Sequence, residues 1–352
     1  MPAEDLSSAA LADKPREPVP SFTATELAAL GARIAHRTWA DGLTRWFWPE
    51  GVALAGLAAF GLASDSGDDK LVRDWVSQHL TPRPEIVHVN DVAPAAAAVA
   101  VGYNSELRPY ADWAASAQRS ASGALEHWPG DVWADTMFMV GAFLARLGRA
   151  TGETGLIEES GRQYILHARV LQDEQTGLFA HGSHHGELIP CFWGRANAWA
   201  ALAAVEFLES SSGLMVPGTE EVSQRLERQL SSLIAGQPEH GVWDVLVDGQ
   251  PETAGILETS AAAGLAAAML RAAALVPGRF DRARQAGWLA LRGSSAYVDE
   301  AGYLTGVSAG TILQLIPFGY SVIRSDRPQL WGQGLALSAI AAGLGVLTGT
   351  RR

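Results

Sequence analysis

The feature that most constrains this chain is a regular alternation between two kinds of helical segment. Segments 51–63, 91–103, 258–274 and 331–347 consist almost entirely of small and apolar residues, chiefly Ala, Gly, Val and Leu. A helix that is apolar on every side must be buried on every side, so these segments predict inner helices. The segments between them carry charged residues along one face, which is typical of an outer layer in contact with solvent.

This alternation predicts an all-α fold of the (α/α)6 barrel type, in which six inner helices ring a cavity and six outer helices surround them. An irregular helical array is the alternative. No linker divides the chain, so we expect one domain over residues 23–352 after a disordered or loosely packed lead-in over residues 1–22. The predicted helices span residues 24–38, 51–63, 68–80, 91–103, 106–124, 132–148, 156–171, 193–209, 219–235, 258–274, 279–292 and 331–347.

Charge and composition argue against several classes of partner. The 352 residues carry a formal net charge of −12 and no cluster of Lys and Arg, which argues against nucleic acid as the main partner. Segment 331–350 lacks charge, but it contains as much Gly, Ala, Ser and Thr as Leu. We therefore interpret it as a buried helix and expect no membrane span. Residues 1–20 lack a signal-peptide pattern, so a cytoplasmic location is expected.

Cysteine and histidine usage predicts neither a metal nor a thiol centre. The single cysteine, Cys191, can form no internal disulfide and no multi-thiolate site, and we expect it to pack in the core beside Phe192. His181, His184 and His185 form a cluster, but adjacent histidines rarely bind one ion and no HExxH spacing occurs. We expect no metal and no cofactor, with His181 as the histidine best placed to donate a hydrogen bond to a polar ligand.

Tryptophans recur where the predicted inner helices begin. The chain contains 12 tryptophans. Those at helix starts indicate a cavity lined with flat apolar faces, on which sugar rings stack; simple core packing is the alternative. The residues at helix starts are Trp46, Trp48, Trp133, Trp193, Trp199, Trp243 and Trp331, and we expect Trp46, Trp133, Trp193 and Trp199 to contact the ligand.

Two acids occupy the starts of apolar helices. Asp135 lies in DVWADTMFMVGAFL and Asp91 in HVNDVAP. If both face one cavity, their mutual repulsion would raise the pKa of one and leave it protonated, as general acid catalysis requires. The helix dipole at each start acts in the opposite sense, and helix capping is the alternative role for both.

The stretch CFWGRANAW places Arg195 and Asn197 between two of these tryptophans. An arginine in an otherwise apolar helix either pairs with an acid inside the protein or grips a ligand carboxylate with its planar fork. The spacing alone leaves both alternatives open.

These motifs together resemble the unsaturated glucuronyl and rhamnogalacturonyl hydrolases, glycoside hydrolase families 88 and 105. WADTMFMVGAFLARLGRATGE resembles the family segment that carries the catalytic aspartate. WFWPEGVALAGL, HVNDVAP, GLFAHG, WGRANAW and LETSAAAGLAAAML resemble further family segments in the same order. The resemblance covers about residues 25–349.

The resemblance implies an (α/α)6 barrel and an oligosaccharide substrate left by a polysaccharide lyase, with a C4=C5 double bond in its terminal uronic acid. An aspartate protonates C4, water adds at C5, and the hydrated product opens and releases the sugar without metal or cofactor. Asp135 would be the proton donor and then the base, and Asp91 would orient water or tune Asp135. The implied ligand contacts are His181 and Arg195, with Trp193 and Trp199 stacking on the unsaturated ring.

Two departures from the family pattern bear on substrate identity. Ala196 and Ala95 stand where the family carries glycine, and each added methyl group narrows the pocket wall. Two other functions compete: a sugar epimerase or isomerase that relies on histidine pairs, and a sugar-binding barrel without turnover. The Asp135 motif argues against the first, and the presence of both aspartates argues against the second. The sequence does not indicate an oligomeric state.

Overall fold

The computed structural model describes residues 15–349, and helices dominate it. The helices are α1 (Ala24–Ala40), α2 (Trp48–Ser64), α3 (Asp68–His79), α4 (Val89–Ala100), α5 (Arg108–Ser116), α6 (Ala134–Met139), α7 (Gly141–Thr151), α8 (Thr154–Leu171), α9 (Gly194–Ser211), α10 (Thr219–Ala235), α11 (Thr259–Leu275), α12 (Asp281–Ser295), α13 (Pro317–Ser321) and α14 (Leu330–Thr348). Strands β1 (Gly182–His184) and β2 (Glu187–Ile189) pair as an antiparallel hairpin. Short 3-10 turns span Ser105–Leu107 and Pro251–Thr253.

Six inner positions form a closed ring. Going round it, α2 packs on α4, α4 on α6 and α7, these on α9, α9 on α11, α11 on α14, and α14 again on α2. The outer helices α1, α3, α5, α8, α10 and α12 pack against this ring. The predicted (α/α)6 barrel is therefore confirmed, and the described chain is 59% helix.

The ring closes through a backbone contact between its first and last inner helices. A Cβ atom on Gly56 of α2 would overlap the carbonyl oxygen of Gly334 of α14. A Cβ on Gly334 would in turn overlap the carbonyl oxygen of Val52. The small residues that made these segments look apolar all round thus also allow the two helices to approach closely.

Toward their C-terminal ends, three inner helices are joined by buried ion pairs. Arg146 of α7 contacts Glu206 of α9 at 2.6 Å, and Arg271 of α11 contacts Glu206 at 2.7 Å and Glu209 at 2.5 Å. Burial raises the pKa of Glu206, but the two arginines outweigh it and hold that pKa at about 2. The cluster ties these helices together on the side of the ring away from their starts.

Helix α14 is long and apolar enough to cross a membrane, yet 61% of its most apolar window is buried inside the protein. It packs on α1, α2 and α11 as part of the ring. Its composition therefore has an explanation within the barrel, as the sequence analysis proposed.

Several predicted boundaries differ from the structure. The helix predicted over 106–124 ends at Ser116, because the following Ser- and Gly-containing stretch turns at Gly123, where φ is +85°. The helix predicted over 132–148 is divided at Val140 into α6 and α7. The hairpin and α13 were not predicted, since segments of three to five residues carry little periodicity.

The predicted lead-in over residues 1–22 lies outside the described residues up to position 14. Residues 15–22 run without helix or strand along the end of α12. The Arg16 guanidinium donates to the carbonyl of Ala296 at 2.9 Å and lies 4.4 Å from the Tyr297 ring centre. The Val19 amide donates to the carbonyl of Arg292 at 3.3 Å.

Candidate active site

Loops that precede the inner helices meet at one end of the barrel. Isolated β-bridges join Trp133 to Gly182, Trp193 to Leu246 and Asp244 to Leu257. These contacts bring together motifs that lie tens of residues apart in the chain, and they place the starts of α6, α9 and α11 at one mouth.

Asp135 lies in the first turn of α6, with 17% of its side chain exposed. Within residues 15–349 its carboxylate makes no hydrogen bond to the amides that begin the helix, and Oδ2 has no hydrogen-bond partner. A capping residue would use those amides. The geometry therefore fits a carboxylate held at the mouth better than it fits the capping alternative.

A line of polar groups leads away from Asp135 into the protein. His181 Nε2 lies 3.4 Å from Asp135 Oδ2, and His181 Nδ1 lies 2.6 Å from the Tyr320 hydroxyl. Burial raises the pKa of Tyr320 well above its usual value, so the phenol stays neutral and can donate to Nδ1. With Nδ1 bonded to the phenol, Nε2 is the ring nitrogen that faces Asp135.

His181 differs from the sequence prediction. We predicted contact with the ligand, but the side chain is fully buried behind Asp135 between Trp133 and Trp193. Its role in this geometry is to position Asp135. Tyr320 was not predicted at all, because nothing in the local sequence of α13 connects it to a histidine 139 residues earlier.

The sequence left open whether the pKa of Asp135 is raised by repulsion or lowered by its surroundings, and the structure favours lowering. Burial raises the pKa of Asp135, but the nearby ring of His181, with His127 and Arg195 behind it, lowers the pKa below its ordinary value. Repulsion from Asp91 is not among these influences. In the ligand-free structure Asp135 is thus held as a carboxylate.

Asp91 takes the capping role that the sequence left open. Its Oδ2 accepts hydrogen bonds from the amides of Val87 at 3.0 Å and His88 at 2.9 Å, in a capping box at the start of α4. Its carbonyl accepts from Trp46 Nε1 at 3.0 Å. A catalytic role for Asp91 stays a prediction, and these contacts account for the residue without it.

Arg195 forms an ion pair inside the protein, which is one of the two alternatives left open by the sequence. Its guanidinium already binds protein groups, so it is not free to grip a ligand carboxylate in this structure. Only 1% of its side chain is exposed, and Nη1 lies 3.2 Å from Glu258 Oε2. Nη1 also donates to the Ser308 carbonyl at 2.8 Å, and Nη2 donates to the Ala309 carbonyl at 3.0 Å. The guanidinium therefore fastens the start of α9 to the start of α11 and to the loop at 308–309.

Asn197 is likewise used within the fold. Its side chain accepts from the Phe179 amide and donates to the Phe179 carbonyl, both at 2.9 Å. It is fully buried, and these contacts account for the residue without a ligand; a role for Asn197 in substrate binding stays a prediction. Its hydrogen bonds pin the loop that carries His181 to α9.

The predicted stacking tryptophans are buried as well. Trp199 stacks on Phe138 at 5.0 Å, and Trp46 stacks on Trp75 at 5.8 Å. Trp193 and Trp133 flank the buried His181 ring. Core packing, the alternative in the sequence analysis, describes these four residues: Trp46, Trp133, Trp193 and Trp199. A large aromatic that is exposed is Trp128, at 47%, beside His88.

His184 is the last residue of β1, and His185 begins the turn of the hairpin. His184 Nδ1 lies 3.0 Å from Asp131 Oδ1, and the His185 amide donates to the same oxygen at 3.2 Å. No group of three His, Cys, Asp or Glu side chains suited to a metal ion occurs within residues 15–349. The pair is explained by its attachment to Asp131.

Cys191 is fully buried at the same end of the barrel. Burial, with a smaller effect of Asp248, raises the pKa of its thiol to about 11. A thiolate nucleophile needs a lowered pKa, so the packing role predicted from the sequence fits this environment.

Buried histidines should make the protein sensitive to acid. Burial lowers the pKa of His127 to about 3 and that of His167 to about 4. In the unfolded chain both titrate near pH 6.5. As the pH falls below about 6.5, the unfolded state therefore binds protons that the folded state does not bind. Each histidine then removes about 1.4 kcal/mol of unfolding free energy per pH unit.

Denaturant unfolding at about pH 6.5 and pH 5 tests this expectation, since the two histidines together should cost about 3 kcal/mol over that interval. The variant His167→Gln should show about half the slope. An unfolding free energy that is flat across this interval would mean that both rings are already protonated in the folded state.

Residues 32–344 match the sequence model of Glycosyl Hydrolase Family 88. The chain belongs to this family and is a glycoside hydrolase, as its motifs predicted.

Among curated proteins it is similar to the unsaturated rhamnogalacturonyl hydrolase YesR of Bacillus subtilis, with 32% identity over 329 residues. That alignment covers 88% of this chain and 92% of YesR. Among solved structures, a possible member of family GH105 from Salmonella enterica superposes with a TM-score of 0.80 at 25% identity, covering 94% of this chain and 96% of that one. The unsaturated glucuronyl hydrolase of Bacillus sp. GL1 superposes with a TM-score of 0.70 at 16% identity and shares the fold, over 93% and 97% of the two chains.

Proposed function

We propose that this protein removes a terminal 4,5-unsaturated uronic acid from lyase-generated oligosaccharides by hydrating the C4=C5 double bond. The observation that carries the proposal is the position of Asp135 in a family 88 barrel. Its carboxylate lies in the first turn of α6 without capping that helix, 3.4 Å from His181. The names of its relatives agree with this substrate class, since YesR is an unsaturated rhamnogalacturonyl hydrolase. The cytoplasmic location stays a prediction from the sequence.

In the proposed reaction the Asp135 carboxyl gives its proton to C4, and positive charge develops at C5 and the ring oxygen. Water adds at C5 and returns a proton to Asp135, which regenerates the acid. The resulting hemiketal opens, and the exposed hemiacetal at C1 releases the remaining sugar as an alcohol. We expect His181 Nε2, which lies 3.4 Å from Asp135 Oδ2 in the free protein, to close to a hydrogen bond that holds Asp135 through both proton transfers, because Tyr320 sets the orientation of the ring.

This scheme requires Asp135 to gain a proton, although His181 and its neighbours lower its pKa in the free protein. Binding of the substrate raises the pKa of Asp135 in this scheme. The substrate carboxylate brings a like charge to the mouth and the sugar excludes water, and both changes favour the neutral carboxylic acid. We therefore expect the pKa of Asp135 to be higher in the complex than in the free protein.

The pH dependence of the reaction tests this difference. Activity should be lost as the pH rises through the pKa of Asp135, because the acid form is the active one. The profile of kcat/KM reports the free enzyme and that of kcat the complex, so the limb in kcat should lie at higher pH. Steady-state kinetics over about pH 4 to 8 would measure both limbs. Limbs that coincide, or a kcat limb at lower pH, would contradict the proposed rise.

The proposed function itself is tested with a panel of lyase digests. The double bond conjugated to the uronate carboxylate absorbs in the ultraviolet, and hydration removes that absorbance. We expect the signal to decay with at least one digest and the released sugar to appear at the same rate. Intact absorbance with every digest, from a protein that is folded by circular dichroism, would refute the proposal.

The competing epimerase or isomerase gains no support from the histidines. His181 is fully buried, and His184 is held by Asp131 at 3.0 Å. Neither is placed as one of two bases on opposite faces of a sugar.

A further inference from the structure

The loop between α10 and α11 carries a carboxylate that the proposed reaction does not use. The Val245 carbonyl accepts from the Gly194 amide at 2.8 Å, and the Val247 amide donates to the Phe192 carbonyl at 2.9 Å. These bonds fix the loop against the start of α9, at the mouth that holds Asp135. The next residue along the loop is Asp248.

Two further contacts connect the segments on either side of Asp248 with the residues that lie behind Asp135. On one side, Val247 is bonded to Phe192, and the residue before Phe192 is Cys191. The Cys191 carbonyl accepts a hydrogen bond from the His181 amide at 2.9 Å. On its other side, the turn Pro251–Thr253 packs against α13, the helix that carries Tyr320. Asp248 therefore stands beside the proton donor's supporting residues and not on a remote surface.

Only one of the two oxygens of the Asp248 carboxylate has a hydrogen-bond partner within the described residues. Its Oδ2 accepts from Gln250 Nε2 at 2.6 Å, whereas its Oδ1 is buried and has no hydrogen-bond partner. Within residues 15–349 no arginine or lysine forms an ion pair with it. Burial raises the pKa of Asp248, which is the expected sign for a carboxyl group without a cation. A buried acceptor without a donor is costly, so a donor supplied by a ligand would relieve that cost.

We propose that Asp248 is a specificity-determining residue that accepts hydrogen bonds from the hydroxyl groups of a neutral sugar, the unit that follows the unsaturated uronate. This inference rests on the proposed function. A carboxylate accepts from hydroxyl donors but repels carboxylate and sulfate groups. The uronate therefore cannot occupy this position, and an aglycone that carries sulfate is disfavoured there.

The same loop offers a matched control. Asp244 is also partly buried, and burial also raises its pKa, but its Oδ2 accepts from the Gly255 amide at 3.2 Å. Asp244 thus has a backbone partner that an asparagine can keep, whereas the free oxygen of Asp248 has none.

The experiment compares wild type, Asp248→Asn and Asp244→Asn on three substrates: an unsaturated disaccharide with a neutral aglycone, the same disaccharide carrying sulfate on that aglycone, and the methyl glycoside of the unsaturated uronate. Losing a hydrogen bond to a charged group corresponds to about a 10- to 100-fold effect. Asp248→Asn should lower kcat/KM for the neutral disaccharide by that factor, mainly through KM, and leave the methyl glycoside unchanged. Its preference for the neutral over the sulfated disaccharide should shrink, and Asp244→Asn should retain wild-type ratios.

Equal ratios for Asp248→Asn and wild type, or equal losses in both variants, would overturn the inference. Calorimetric binding of a saturated disaccharide with the neutral sugar provides a readout without turnover. Weaker binding by Asp248→Asn alone would support the inference even if wild type hydrates no substrate, an outcome that would refute only the proposed function. Equal binding by all three proteins would refute the inference whether or not turnover is seen.

Discussion

Asp135→Asn is expected to fold normally, bind substrate and turn it over at a small fraction of the wild-type rate. Asparagine has nearly the same shape but cannot deliver an acidic proton. General acid catalysis contributes about 100- to 10,000-fold, and a residue that acts as both acid and base should fall at or beyond the top of that range. The measurement is kcat on an unsaturated disaccharide, with the melting temperature recorded for the same sample.

The structure sharpens this prediction, because Asp135 makes no hydrogen bond to the start of α6. A lost cap would cost about 1 kcal/mol of stability, and no such loss is expected here. Asp91→Asn is the contrasting variant, since Asp91 does cap its helix through Oδ2. If Asp135→Asn keeps more than about a tenth of wild-type turnover, the loss is too small for a general acid and the assignment is wrong.

The second large effect is expected at Arg195, on stability. Arg195→Met leaves Glu258 buried without its partner, and breaking one side of a buried ion pair typically costs about 3 to 5 kcal/mol. Adding Glu258→Gln should recover part of that loss, because it removes the uncompensated charge. Denaturant unfolding of the single and double variants measures both effects.

Arg162→Met is a control for the same chemistry at the surface, where the Arg162–Glu159 pair is half exposed. Such pairs contribute about 0 to 1 kcal/mol. If Arg195→Met instead keeps full stability and loses substrate binding, Arg195 is a ligand fork and its ion pair is incidental.

The barrel could be predicted from the sequence because burial on all sides leaves a compositional trace. Helices α11 and α14 contain almost no charged residue, and only an inner position in a helical ring accommodates that. The helix predicted over 106–124 was too long at its C-terminal end, because Ser and Gly after Ser116 weaken a helical pattern without marking the last helical residue.

The candidate site was predictable only in part. The motif around Asp135 identified a residue that the fold does place at the mouth. Whether a polar side chain faces a ligand or a protein partner depends on contacts between distant segments, and Arg195 with Glu258, 63 residues later, is the clearest case. Tyr320 and Asp248 lacked any local signal, because their significance arises only when loops from different helices meet.

The most direct test of the central claim is the reaction in deuterium oxide, followed by analysis of the released uronic acid. Protonation at C4 by Asp135 places one deuterium on that carbon, and prompt reduction of the C5 ketone in the product fixes the label before exchange through the enol. We predict a saturated product with deuterium at C4 from wild type, and almost no product from Asp135→Asn. Release of the sugar ahead of the loss of the C4=C5 double bond would show ordinary glycosidic cleavage, because the freed uronate would still carry that bond, and would contradict the account.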